Sequence, residues 1–304
     1  MIETMDEQPT RVFAEHRELL FAIVYNMLGT VTDTEDVLQD TWLSWVSRNR
    51  SDLGEITSPR AYLVRIAVNT ALSRRESIVR RRETYVGPWL PEPLVADTPE
   101  IRDSADAAEI ALRGESVSLA VLVILETLTP LERAVFVLHE VFGYPHAEIG
   151  AILGRETPAI RQLAHRARDH VRAKRPRYQA DPRTQRAVTE RFLAAQLSGD
   201  VTGLLEMLAP DVTFLSDAGG RVRAALRPIH GADKVARLLT SPMVIASVPD
   251  MSVRFGWTNG EPSVIVYSGG ELQAVVALDI EADTEKVRCV YAMRNPEKLH
   301  HLRG

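Results

Sequence analysis

Leu153-Gly154-Arg155-Glu156-Thr157-Pro158-Ala159-Ile160-Arg161-Gln162-Leu163-Ala164-His165-Arg166-Ala167-Arg168 is the stretch on which the reading of this chain turns. Ile160, Leu163, Ala164, Ala167 and Val171 recur at the spacing of one helical face. Arg161, Gln162, His165, Arg166 and Arg168 fall on the opposite face. Thr157 before Pro158 predicts a helix start, because proline lacks an N–H that the first turn would leave unpaired anyway. Upstream, His146 to Leu153 predicts a short helix with Ile149 and Ile152 inward, and Gly154 a tight turn. Helix, glycine turn and a second helix with a cationic outer face make a helix-turn-helix, whose second helix enters the DNA major groove. Arginine and glutamine suit that groove, since each can bond two atoms of one base edge.

The charge distribution supports a polyanion site. Arg155 to Arg177 holds eight basic residues against Glu156 and Asp169, in a chain whose net charge is −5. A second cluster, Arg74, Arg75, Arg80, Arg81 and Arg82, is opposed locally by Glu76. Concentrated basic patches on an acidic chain mark sites rather than general stickiness. A length of 304 residues suits two or three domains. The single cysteine, Cys289, excludes an intrachain disulfide and a multi-cysteine zinc site. No metal or cofactor is expected. The acidic start lacks a signal-peptide pattern and the longest aliphatic run, Leu119 to Leu125, is too short to span a bilayer, so the chain reads as cytoplasmic with no membrane partner.

Outward from the decisive stretch, residues 11 to 82 predict three helices. Gly29 ends the first, Asp33 caps a second with Val37, Leu38, Thr41, Trp42 and Trp45 inward, and Ser58-Pro59 starts a third that runs into the arginine cluster. Gly87-Pro88-Trp89-Leu90-Pro91-Glu92-Pro93 cannot be helical and opens a linker that continues through Asp97, Glu100, Asp103, Asp106 and Glu109. Thr129-Pro130-Leu131-Glu132 is a capping box, and Gly143 ends the helix it starts. From about Arg183 two helices precede alternating strands that begin at Met251 and end at Met293, with hairpin turns at Asn259-Gly260 and Gly269-Gly270.

Three segments carry a family resemblance. Leu128 to Arg172 resembles region 4 of the sigma-70 family. Asp33-Thr34-Glu35-Asp36-Val37-Leu38-Gln39-Asp40-Thr41-Trp42 resembles the region 2 helix that docks on RNA polymerase, and Pro59 to Asn69 resembles the helix that reads the −10 element. Two sigma regions without a region 3 are the layout of extracytoplasmic-function sigma factors. Trp89-Leu90-Pro91-Glu92-Pro93 resembles the linker of a subgroup, including the actinobacterial sigma J type, that carries a SnoaL-like extension. That subgroup's D-G-G-G-K and N-P-D-K-L motifs have counterparts in Asp217-Ala218-Gly219-Gly220-Arg221 and Asn295-Pro296-Glu297-Lys298-Leu299.

The resemblance implies a multidomain protein: an all-α region 2 over 1–86, a linker over 87–115, a helix-turn-helix region 4 over 116–178, and an α+β SnoaL-like (nuclear-transport-factor-like) cone over 183–304. It implies two partners, core RNA polymerase and promoter DNA. Asp33, Asp36, Gln39 and Asp40 would bind the polymerase. Arg65, Asn69, Arg74 and Arg75 would serve the −10 element, with the Arg48 to Thr57 loop over the base. Thr157, Arg161, Gln162, His165, Arg166 and Arg168 would serve the −35 element. Trp89, Leu90, Pro91, Glu92, Pro93, Asp217, Asn295 and Pro296 would form the regulatory contacts. Other readings stay open: Asn69 as a backbone-bonding helix residue, a one-component ligand-sensing regulator, a small ligand in the C-terminal domain, and an enzyme built on Asp217 and His230. A zinc peptidase is excluded, because His139-Glu140 is followed by Gly143 where a second histidine would be needed.

Overall fold

The computed structural model describes residues 4–49, 56–96, 117–174, 180–245 and 248–302. The acidic part of the linker, most of the Arg48 to Thr57 loop, and Arg175 and Arg177 lie outside them. The chain divides into two units: Met1–Glu83 with Glu115–Val117 and Ile124–Lys174, and Thr84–Gly114 with Ser118–Val123 and Arg175–Gly304.

The first unit is all-α. Helices α1 (Thr4–Leu28), α2 (Val31–Asn49) and α3 (Pro59–Glu83) pack through Leu20, Ile23, Leu28, Leu63, Ala67 and Ala71, all fully buried. Gly29, at φ 76°, turns the chain out of α1. Helix α2 begins two residues before the expected cap. Thr34 N bonds Thr30 O, and Asp33 sits inside the first turn, accepting from the Thr30 hydroxyl at 2.7 Å.

Helix α4 (Leu119–Leu125) leads to α5 (Pro130–Phe136), which starts at the capping box: Glu132 N donates to Thr129 Oγ1 and Thr129 N to the Glu132 carboxylate. The helix then widens into a π turn, Val137–Val141, and stops at Gly143. Helices α6 (His146–Leu153) and α7 (Thr157–Lys174) follow, joined through Gly154 in the left-handed conformation.

One charge cluster ties these helices together. Glu126 accepts from Arg75 Nη2 and Arg133 Nη1, each at 2.6 Å, and from Arg82. Arg75 and Arg133 also donate to Leu28 O and Asn26 O, last-turn carbonyls of α1, where the helix dipole is negative. Burial pushes Arg75 down to about 10 and Arg133 well below the usual guanidinium value.

The second unit is α+β. Helices α8 (Pro182–Ser198), α9 (Val201–Met207), α10 (Ala232–Leu239) and α11 (Pro242–Ile245) accompany a mixed sheet ordered β1-β4-β5-β6-β7-β2-β3. The strands are β1 Val95–Ala96, β2 Leu208–Asp217, β3 Ile229–His230, β4 Met251–Thr258, β5 Glu261–Ser268, β6 Glu271–Ile280 and β7 Val287–Met293. β2 runs parallel to β7; the other pairs are antiparallel. Asn259 and Gly260, at φ 52° and 77°, turn β4 into β5 with both central residues left-handed.

Alternation along the strands gives the sheet two buried faces. Phe214, Val276, Leu278, Val290 and Ala292 join Val188, Phe192 and Leu204 of the helices. Ile265, Val275, Cys289, Tyr291 and Met293 of the other face enclose Leu90 of the linker. Burial raises the Cys289 thiol to about 12, which leaves it a small apolar group.

Removing one partner from a buried ion cluster leaves uncompensated charge and costs about 3–5 kcal/mol. Glu126→Gln is therefore expected to lower the urea midpoint of the helical unit; an unchanged midpoint would show that the α1 carbonyls alone hold the arginines.

Candidate nucleic-acid interface and linker site

Helix α7 begins at Thr157 itself. Ala159 N and Ile160 N bond Glu156 O, so Glu156 occupies the cap position and Thr157 is the first helical residue. Ile160, Leu163, Ala164 and Ala167 are buried, while Arg161, Gln162 and His165 stand in solvent. Three side chains of that face are paired: His165 Nδ1 lies 2.9 Å from Asp169, Arg166 Nε 3.0 Å from Glu132 and Arg168 Nη2 2.5 Å from Glu140. Burial alone would raise the Glu132 carboxyl, but the bonds from Arg166 and Thr129 bring it below its ordinary value. Such half-exposed pairs are worth under about 1 kcal/mol, so a phosphate or base edge can displace them.

The expected polymerase-binding residues separate into two groups. Gln39 and Asp40 are exposed on α2. Asp36 is half-buried and paired with Arg74. Asp33 is a correction: its carboxylate is buried, bonded by Arg74 at 2.9 Å, by Arg81 at 2.8 Å and by Thr30. Desolvation opposes its ionisation, but those three donors outweigh it and lower its pKa. Asp33 thus anchors α2 to α3 rather than facing a partner.

Among the expected −10 residues, Arg65 is exposed and lies 5.4 Å over the Tyr62 ring. The Asn69 amide donates to Arg65 O at 2.7 Å and to Ile152 O of α6 at 3.0 Å. Arg74 is engaged by Asp33 and Asp36. Arg75 is the second correction: it is buried on Glu126 and cannot reach a phosphate in this conformation. The arginine cluster of α3 serves mainly as an internal ion network. Arg80, for one, stays exposed.

In the second unit the proline-rich segment is clasped. Leu90, Pro91, Glu92 and Pro93 are buried and Trp89 is half-buried. Asp217, with no exposed surface, accepts from Leu90 N and from Lys298 Nζ, both at 2.7 Å, and from the Tyr85 hydroxyl. Lys298 Nζ also donates to Leu90 O at 2.5 Å and sits 3.3 Å from the centre of the Trp89 ring. Asn295 Nδ2 donates to Tyr85 at 2.8 Å, and His301 Nε2 is 2.9 Å from Pro93 O. Burial and the adjacent carboxylate of Asp217 push the Tyr85 phenol far up, so it stays a donor.

The three departures from the subgroup's motifs, Ala218, Arg221 and Glu297, are compatible with this geometry. Ala218 does not take a positive φ; the left-handed positions are Gly219 and Gly220. A Cβ on Gly219 would meet Asn295 Nδ2 at 2.5 Å, so glycine is needed there. Arg221 and Glu297, the two changed charged residues, pair with each other at 2.5 Å. Pro296 is half-buried beside Asn295. Tyr85, Glu126 and Arg133 carry no signal in the sequence, whereas Lys298 lies within the Asn295–Leu299 motif.

Asp217 and His230 do not form an acid/base pair. His230 is exposed and contacts Thr213 at 3.1 Å, four residues from Asp217 along β2, or about 13 Å of strand. Among the described residues no metal-holding cluster is found, and no helix is long and apolar enough to cross a membrane.

Residues 12–82 match the Sigma-70 region 2 family and residues 118–171 the Sigma-70, region 4 family. The chain is 38% identical over 228 residues to the ECF RNA polymerase sigma factor SigJ of Mycobacterium tuberculosis, covering 75% of this chain and 70% of that protein. It is 31% identical over 295 residues to the probable ECF RNA polymerase sigma factor SigI of the same species, covering 95% and 94%. The crystal structure of the Mycobacterium tuberculosis extracytoplasmic function sigma factor SigJ is similar with a TM-score of 0.69 at 31% identity, covering 95% of this chain and 97% of that one.

Lys298→Met leaves the buried Asp217 carboxylate without its cation, a loss of about 3–5 kcal/mol. The expected result is release of the linker, read as a red shift of tryptophan emission that is absent when Trp89 is replaced by Phe in the same background. Unshifted emission would mean that apolar packing of Leu90 suffices to hold the segment.

Proposed function

Because this chain belongs to the extracytoplasmic-function family of sigma-70 RNA polymerase sigma factors, we propose that its free form is a closed state that core polymerase and promoter DNA must open. The family directs transcription initiation. In this reading the exposed Gln39 and Asp40, with Asp36, meet core RNA polymerase. Arg65 and Asn69 serve the −10 element, and Arg161, Gln162, His165, Arg166 and Arg168 the −35 element.

The observation that carries the proposal is the bond from Asn69 of α3 to Ile152 O of α6. The two promoter elements are named for positions roughly 25 base pairs apart, which is about 85 Å at ~3.4 Å per base pair. Helices in direct contact cannot engage both. The Asn69 bond, the Glu126 cluster and the pairs of Arg166 and Arg168 hold groups that DNA would otherwise use.

The clasp adds control in cis. The segment it grips, Trp89 to Pro93, lies on the chain between α3 and the helix-turn-helix. A gripped segment shortens the tether that must extend when the halves part. The SnoaL-like domain is read as regulatory rather than catalytic, and the protein as cytoplasmic, alongside the polymerase. A one-component regulator would need no region 2, so that alternative is not favoured.

Gln39→Arg with Asp40→Arg is expected to weaken binding to core polymerase about tenfold or more, since opposed surface charges steer and hold such contacts. Arg161→Ala should weaken −35 DNA by roughly 1–3 kcal/mol if it bonds a base edge. Core affinity unchanged by the double reversal would remove the α2 assignment.

A further inference from the structure

The clasp occupies one face of the β-sheet. The other face, beneath α8, α10 and α11, is not filled: it borders a cavity of about 350 Å³. That size falls within the range of small-molecule sites, roughly 300–1,000 Å³. Its walls are mostly apolar, with Phe192, Val253, Val266 and Ala274 among them, and no carboxylate lines it.

Its polar groups are few. Ser216, 2% exposed, lines the cavity. Two strand positions along that same face lies Arg294, since Ser216 pairs with Ala292 across β2 and β7. Arg294 is half-buried; its Nη1 donates to Arg223 O at 3.1 Å, and no carboxylate bonds it among the described residues. Burial lowers its pKa with no anion to offset the effect. A guanidinium on an apolar wall gains most from an anionic acceptor, because the bond is charge-assisted and the surroundings are dry. Arg223, an exposed residue whose carbonyl accepts from Arg294, also borders the cavity.

We propose that this cavity binds an apolar carboxylate, its hydrocarbon body between sheet and helices and its head group on Arg294 and Ser216. Occupancy would be felt at the clasp. Arg294 N donates to Asp217 O at 2.7 Å, Ser216 directly precedes Asp217, and Asn295 directly follows Arg294. The same two chain segments therefore present the ligand site on one face and the linker site on the other.

The test is calorimetric titration of the full chain with decanoate and, separately, with 1-decanol. Saturable one-site binding of decanoate is expected, with 1-decanol weaker by about tenfold or more, the worth of a charged hydrogen bond. Arg294→Met should reduce decanoate affinity by a similar factor while leaving 1-decanol unchanged, and Arg294→Lys should recover part of it. Ala274→Phe, which adds a ring to a residue lining the cavity, should weaken both ligands while circular dichroism confirms the fold. Equal affinity for the acid and the alcohol, indifference to Arg294→Met, or absence of saturable decanoate binding would each overturn the proposal.

Discussion

A carboxylate removed wholly from water sets the constraint on which the C-terminal half depends. Asp217 sits at the end of β2 with no exposed surface, and an ion so placed is stable only where cation and hydrogen bonds replace its hydration. Lys298 supplies the cation, and Tyr85 and Leu90 N supply donors. Two of those three partners come from the segment that follows α3, so satisfying the charge requires that segment to be in place. Gly219 completes the arrangement by leaving room for Asn295 against Tyr85. Specificity of docking comes from the polar atoms; Leu90 and its apolar neighbours add the area.

The helical half uses the same physics. Glu126 is shared by Arg75, Arg82 and Arg133, and Asp33 by Arg74 and Arg81. Each cluster joins residues from separate helices, and each consumes arginines that would otherwise suit phosphate. In the proposed closed state these carboxylates occupy guanidinium groups that phosphate would have to win over. Arg161 and Gln162 are exposed, His165 is paired with Asp169 at 2.9 Å, and the Asn69 amide is bonded to Ile152 O.

Much of this was legible in the sequence because it is local. The helix-turn-helix declares itself through a period of 3.6, a glycine that must turn left-handed and a capping box at Thr129. The Asn259-Gly260 and Gly269-Gly270 turns bracket β5 for the same reason. β2 is not legible in the sequence, because Pro210 and Asp211 interrupt its alternation and its parallel partner β7 lies far along the chain. Asp33 and Arg75, expected to meet polymerase and DNA, are buried instead, since nothing within a helix reveals a counter-charge 41 or 51 residues away. Their burial is decided by tertiary pairing, which periodicity does not encode.

The promoter-reading halves are, on this proposal, restrained by internal ion pairs and by a grip on the segment that links them. Promoter-directed run-off transcription with core RNA polymerase tests that most directly, comparing the full chain with its Lys298→Met variant at matched, saturating core concentration. The account predicts more transcript from the variant, because a released linker lets the halves separate at lower cost. Equal or reduced transcript from a folded variant with its linker demonstrably free would contradict it.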